Sequence, residues 1–67
     1  MDYVELHKQG TGIKIRLVRA SGIEEPFVSN PVFVGPVLGE LGVRTLGPWE
    51  DETGDDGVTF QRAVVLG

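Results

Sequence analysis

Cysteine is absent from this 67-residue sequence and histidine occurs once, at position 7. The first absence excludes disulfides. Together the two exclude a structural zinc site built from thiolates and imidazoles. No run approaches the ~20 consecutive apolar residues that a membrane-spanning helix needs. The opening residues, Met1-Asp2-Tyr3-Val4-Glu5, lack the basic region and apolar run of a secretory signal. The expected location is therefore the cytoplasm. Basic residues are also scarce, six against ten acids, and residues 34–67 carry the whole net charge of −4. That balance argues against a general affinity for nucleic-acid phosphate.

What the chain does have is glycine and proline, ten and four respectively. The longest stretch free of both is nine residues. Helices average about 11–12 residues and strands about 5–6, so the spacing favours strands. Tyr3 to Lys8 reads as a strand with Val4 and Leu6 inward and Glu5 and His7 outward. Gln9-Gly10-Thr11-Gly12 reads as a four-residue loop with two glycines free to take positive φ. Ile13 to Val18 is the clearest strand, with Ile13, Ile15 and Leu17 on one face and Lys14 and Arg16 on the other. Phe27-Val28 reads as a short extended piece. Val32 to Val34 reads as an apolar run at a sheet edge or in a loop.

Between Val37 and Leu46 the apolar spacing hints at a helical turn. Gly39 and Gly42 oppose it, at roughly 1 kcal/mol each in a helix interior, so the segment reads as strand-like from Val43 to Leu46. Glu50 to Gly57 reads as an exposed acidic loop. Val58 to Leu66 reads as the last strand, with a bulge near Gln61-Arg62 or cover on both sides explaining Ala63-Val64-Val65-Leu66. The expected fold is all-β: one domain over residues 1–67, a small barrel or two-layer sandwich of five or six short strands.

No residue pattern specifies a reaction. Read from Asp51, the acidic segment fails the EF-hand test, with Asp56 where glycine belongs and Arg62 where glutamate belongs. The plainer reading is a solvated loop. A sharper one has Glu50, Asp51, Glu52, Asp55 and Asp56 imitate nucleic-acid phosphates and inhibit a nucleic-acid-handling protein. His7 lacks a nucleophile motif beside it and reads as a surface histidine. Gly10-Thr11-Gly12 has no following helix to bind an anion. Lys8, Lys14 and Arg16 read either as a basic patch on a nucleic-acid-binding barrel or, facing Glu5, as cross-strand ion pairs. Trp49 reads equally as a cap on the core or as an interface anchor.

A domain this small buries only about 60% of its unfolded surface, and its core rarely supplies more than ~3–5 kcal/mol. Partner chains are the remaining source of stability. Phe33, Val34, Val37 and Leu38 lie in a broken apolar segment and join Trp49 and the five acids as candidate partner-binding residues. Open strand edges invite pairing. The expectation is a non-catalytic structural protein without cofactor, enzyme activity or membrane contact, which self-associates or docks onto a larger assembly. Capsid-decorating and head–tail joining subunits of phage virions share this size and class, which would place the chain in a virion.

Overall fold

The computed structural model describes all residues from Met1 to Gly67. The chain is a small all-β domain, built on one open antiparallel sheet of six strands. The strands are β1 (Tyr3–Gln9), β2 (Gly12–Arg19), β3 (Gly22–Glu24), β4 (Phe27–Val28), β5 (Glu50–Thr53) and β6 (Thr59–Val64). The spatial order is β3-β2-β1-β6-β5, and β4 also lies against β2. The second layer is not a sheet but a 3-10 turn, Pro31–Phe33, leading into helix α1, Val34–Glu40.

Strand alternation sets the two faces. Leu6 pairs with Ile15 and Val4 with Leu17, while Ala63 lies opposite Val4 on the other side. These residues form the inner face, with Val4, Ile15 and Leu17 fully buried. Leu38 of α1, Val28 and Val43 complete the core, and Val34, Val37, Leu41, Leu46 and Val65 pack at its margin. The β1–β2 loop is tighter than its sequence predicts. Gln9 and Gly12 are already paired, and only Gly10 takes positive φ, at 60°.

The sequence signals against a helix at 34–40 are overturned, and Gly42 supplies the reason. With φ at 84° it ends the helix in the left-handed conformation that side chains disfavour. Its N–H donates to Gly39 O at 3.1 Å, and the Val43 N–H donates to Leu38 O at 2.9 Å. That pair of bonds is a Schellman cap. Gly42 therefore terminates the helix rather than interrupting it. Arg19 adds a second cap by donating to the Leu41 carbonyl. Pro36 sits in the first turn, where its missing N–H has no helical partner to lose. Val43 to Leu46 is consequently not a strand, and only Leu46 forms a bridge, to Val65.

Two further expectations change. Glu50 to Thr53 is an edge strand, not a loop, paired with β6 from Glu50–Arg62 to Thr53–Thr59. The turn that allows this is Gly54 to Gly57, with Gly57 at φ 80° and Asp56 Oδ1 accepting from the Val58 N–H at 3.0 Å. β6 also carries no bulge, since its register against β1 and β5 is continuous. It is apolar on both faces because Ala63 and Val65 enter the core side while Val64 lies opposite Tyr3.

Candidate functional site

The outer face of the sheet has no layer over it, yet Glu5 at its centre is only 7% exposed. Its neighbours account for this. Arg16 on β2 and Arg62 on β6 flank it in register. Glu5 Oε1 accepts from His7 Nε2 at 2.9 Å and from an Arg16 guanidinium nitrogen at 3.2 Å. The His7 ring stacks on Phe60 at 4.5 Å between centroids. The Arg62 guanidinium lies 4.1 Å above the Tyr3 ring and 3.7 Å from Glu52. Burial pushes the Glu5 carboxyl upward. The hydrogen bonds from His7 and Arg16, and the charge of Arg16, outweigh it and hold the group below its ordinary value. Lys14 is bound to Glu25 at 2.7 Å, which likewise holds the Glu25 carboxyl low.

Sequence patterning gives one part of this cluster, the cross-strand ion pair of Arg16 with Glu5, and does not single out His7, Phe60, Arg62 and Tyr3 as its other members. Glu5 and His7 are two apart on one strand, and Arg16 falls on the paired strand's matching face. A carboxylate–imidazole pair also has a catalytic reading. Here the only side-chain hydrogen bond of His7 goes to Glu5, and no hydroxyl is hydrogen-bonded to the ring. The pair is a hydrogen-bonded contact between neighbours two apart on the outer face of β1. No group of three or more His, Asp or Glu side chains is placed to hold a metal ion, and no helix is long and apolar enough to cross a membrane.

The basic patch does not assemble. Lys8 pairs with Ile13 and so lies on the inner face, opposite to Lys14 and Arg16. The latter two make ion pairs with Glu25 and Glu5. Lys8 instead borders a cleft of about 350 Å³ with Leu6, Ile13, Thr59, Gln61 and Asp51, where α1 does not cover the inner face. The cleft is large enough for a small ligand, but no buried polar group converges on it.

The acidic residues are also dispersed. Alternation sends Glu50 and Glu52 to the outer face and Asp51 to the inner. Glu52 makes a diagonal ion pair with Arg62, which lies opposite Glu50, and Asp56 closes the turn, which leaves no continuous row of carboxylates.

The apolar candidates divide at Phe33. Leu38 is buried in the core and is no partner-binding residue; Val34 and Val37 pack against that core. The broken segment reads as surplus in the sequence because its helix is hidden there. Before the helix the side chains turn outward. Asn30 caps the 3-10 turn by accepting from the Val32 N–H at 3.0 Å, and Val32 and Phe33 remain 69% and 50% exposed. Ile23 and Phe27, on β3 and β4, are 50% and 56% exposed. Trp49 is 38% exposed just ahead of β5, so it is not a buried core residue.

These features define a small open-sheet β domain with a charged, self-paired outer face and an apolar margin. No protein family, curated protein or solved structure matches the chain.

Proposed function

We propose that this chain is a non-catalytic assembly protein that works by associating with copies of itself or by docking onto a larger structure. One observation carries the reading: Ile23, Phe27, Val32 and Phe33 stand half exposed or more in one short stretch of chain around the Ser29-Asn30 turn. They fall at two places, Ile23 and Phe27 on the outer face of the β3–β4 edge and Val32 and Phe33 on the turn before α1; exposed large apolar groups favour contact with another chain, and aromatic side chains are favoured anchors. The small core adds a thermodynamic reason, since association stabilises a marginal fold. A virion accessory subunit is one such role, resting on size and class alone. The acidic hairpin as a nucleic-acid mimic is the alternative, and its dispersed carboxylates favour it less.

The test is light scattering of the purified protein over a dilution series, alone, with Ile23→Ser/Phe27→Ser and with Val32→Ser/Phe33→Ser. Concentration-dependent association that either double variant weakens supports the reading. A folded monomer at every concentration removes self-association. Capture of a nucleic-acid-binding protein by the wild type, lost on neutralising Glu50, Asp51 and Asp55, would replace it with the inhibitor.

A further inference from the structure

The two edges of the sheet are protected to different degrees. On β5 the Gly54 N–H bonds to Val58 O. In an antiparallel ladder hydrogen-bonded pairs alternate with non-bonded ones. The even residues of β5 therefore face β6, and only Asp51 and Thr53 turn their backbone groups outward. That edge is short and carries three adjacent acids, which discourages pairing.

The opposite edge has no such protection. β3 and β4 keep a single register against β2: Leu17 faces Glu24 and Ile13 faces Val28. They are two parts of one extended edge from Gly22 to Val28. The interruption is Pro26, whose carbonyl accepts from the Ile15 N–H at 2.8 Å. The missing N–H of Pro26 thus faces β2 and not solvent, where a proline would guard the edge. By the same alternation the N–H and C=O groups of Ile23, Glu25 and Phe27 point away from the sheet. Their side chains share its outer face, in the order apolar, acid, apolar.

That order is the same read in either direction. We infer that a second copy of this chain adds to the Gly22–Val28 edge by antiparallel strand pairing about a two-fold axis at Glu25. Pairing of this kind sets Ile23 of one protomer against its partner's Phe27, and the reverse, so that both exposed apolar groups become covered. It also brings the two Glu25 carboxylates together at the axis. Like charges directly opposite are destabilising, and the Lys14 ammonium, 2.7 Å from Glu25, neutralises each of them. Two-fold closure limits the product to a dimer and consumes the free edge.

The inference rests on the self-association reading and specifies its geometry. Sedimentation equilibrium across a dilution series, with circular dichroism to check the fold, tests both. Wild type should move from the mass of one chain toward twice that mass. Glu25→Pro removes an outward N–H while sparing the β2 ladder, and should remain folded and monomeric. Glu25→Gln should dimerise at least as strongly as wild type. Lys14→Ala should dimerise several-fold more weakly, and less weakly at high salt. Thr53→Pro, on the other edge, should dimerise as wild type does. If Glu25→Pro still associates while Val32→Ser/Phe33→Ser does not, the edge geometry is wrong and the assembly reading stands. A wild-type monomer at all concentrations overturns both.

Discussion

Glu5 shows how one side chain links burial to charge. It lies on an otherwise solvated face, yet two donors share one of its oxygens and neighbouring side chains shield it. Its carboxyl is held below the ordinary value of 4.5, so the folded state binds the proton less well than the unfolded chain does. The resulting stability is fully present above about pH 4.5 and is lost as pH falls through the lower folded value. Hydrogen bonds to charged groups contribute about 1.5–3 kcal/mol, so Glu5→Gln should cost about 2 kcal/mol at pH 7. Urea midpoints measured from pH 7 to pH 3 should fall more steeply for wild type than for Glu5→Gln; parallel curves would remove Glu5 from the acid response. Gly12 is the second residue whose identity is dictated locally. A Cβ there would lie 2.4 Å from both the Val28 carbonyl oxygen and a ring carbon of Phe27. Overpacking of this kind costs about 1–3 kcal/mol. Gly12→Ala should lower the melting temperature, and Phe27→Ala should not restore it, because the carbonyl obstacle is backbone.

At the scale of elements, helix α1 gives two glycines opposite roles. Gly39 lies inside the helix with open space where a side chain would go, whereas Gly42 needs its left-handed conformation. Gly39→Ala should stabilise by about 0.5–1 kcal/mol, and Gly42→Ala should destabilise by about 1 kcal/mol or more. Chemical denaturation of the two variants checks both signs, and equal effects would contradict the cap. The same pair marks the boundary of what is legible in the sequence. β1 and β2 can be read directly, because Val4, Leu6, Ile13, Ile15 and Leu17 alternate without interruption. Helix α1 cannot, because propensity penalises both glycines, and only tertiary burial of Leu38 and the cap at Gly42 reverse that penalty. β5 is hidden for a related reason. Glu50, Asp51 and Glu52 have poor strand propensity, and what orders them is pairing with β6, a non-local effect. Of the candidate site, Phe33 and Trp49 are exposed as an interface would need, whereas the helix moves Leu38 into the core. The free edge at β3 is hard to see in the sequence because Ile23 stands among turn residues.

For the molecule as a whole, size makes association and stability hard to separate. A core of eight buried apolar residues flanked by partly covered ones is small, and domains of this length retain only a few kcal/mol of net stability. A partner that binds only the folded chain adds about 2.7 kcal/mol when it is present at 100 times its dissociation constant. In a domain of this length each kcal/mol moves the melting temperature by roughly 4–8 °C. If folded chains associate, the melting temperature should therefore rise by more than ~10 °C as the protein is concentrated through and well beyond the dissociation constant. Glu25→Pro should show no such rise if the β3–β4 edge is the contact, and should melt where dilute wild type does apart from the local cost of the substitution. Differential scanning calorimetry at several concentrations reads this directly. A wild-type melting temperature independent of concentration would mean that the 67 residues reach their stability alone. The exposed Ile23, Phe27, Val32 and Phe33 would then have to meet a different protein, and the palindromic order at the edge would have no partner to match.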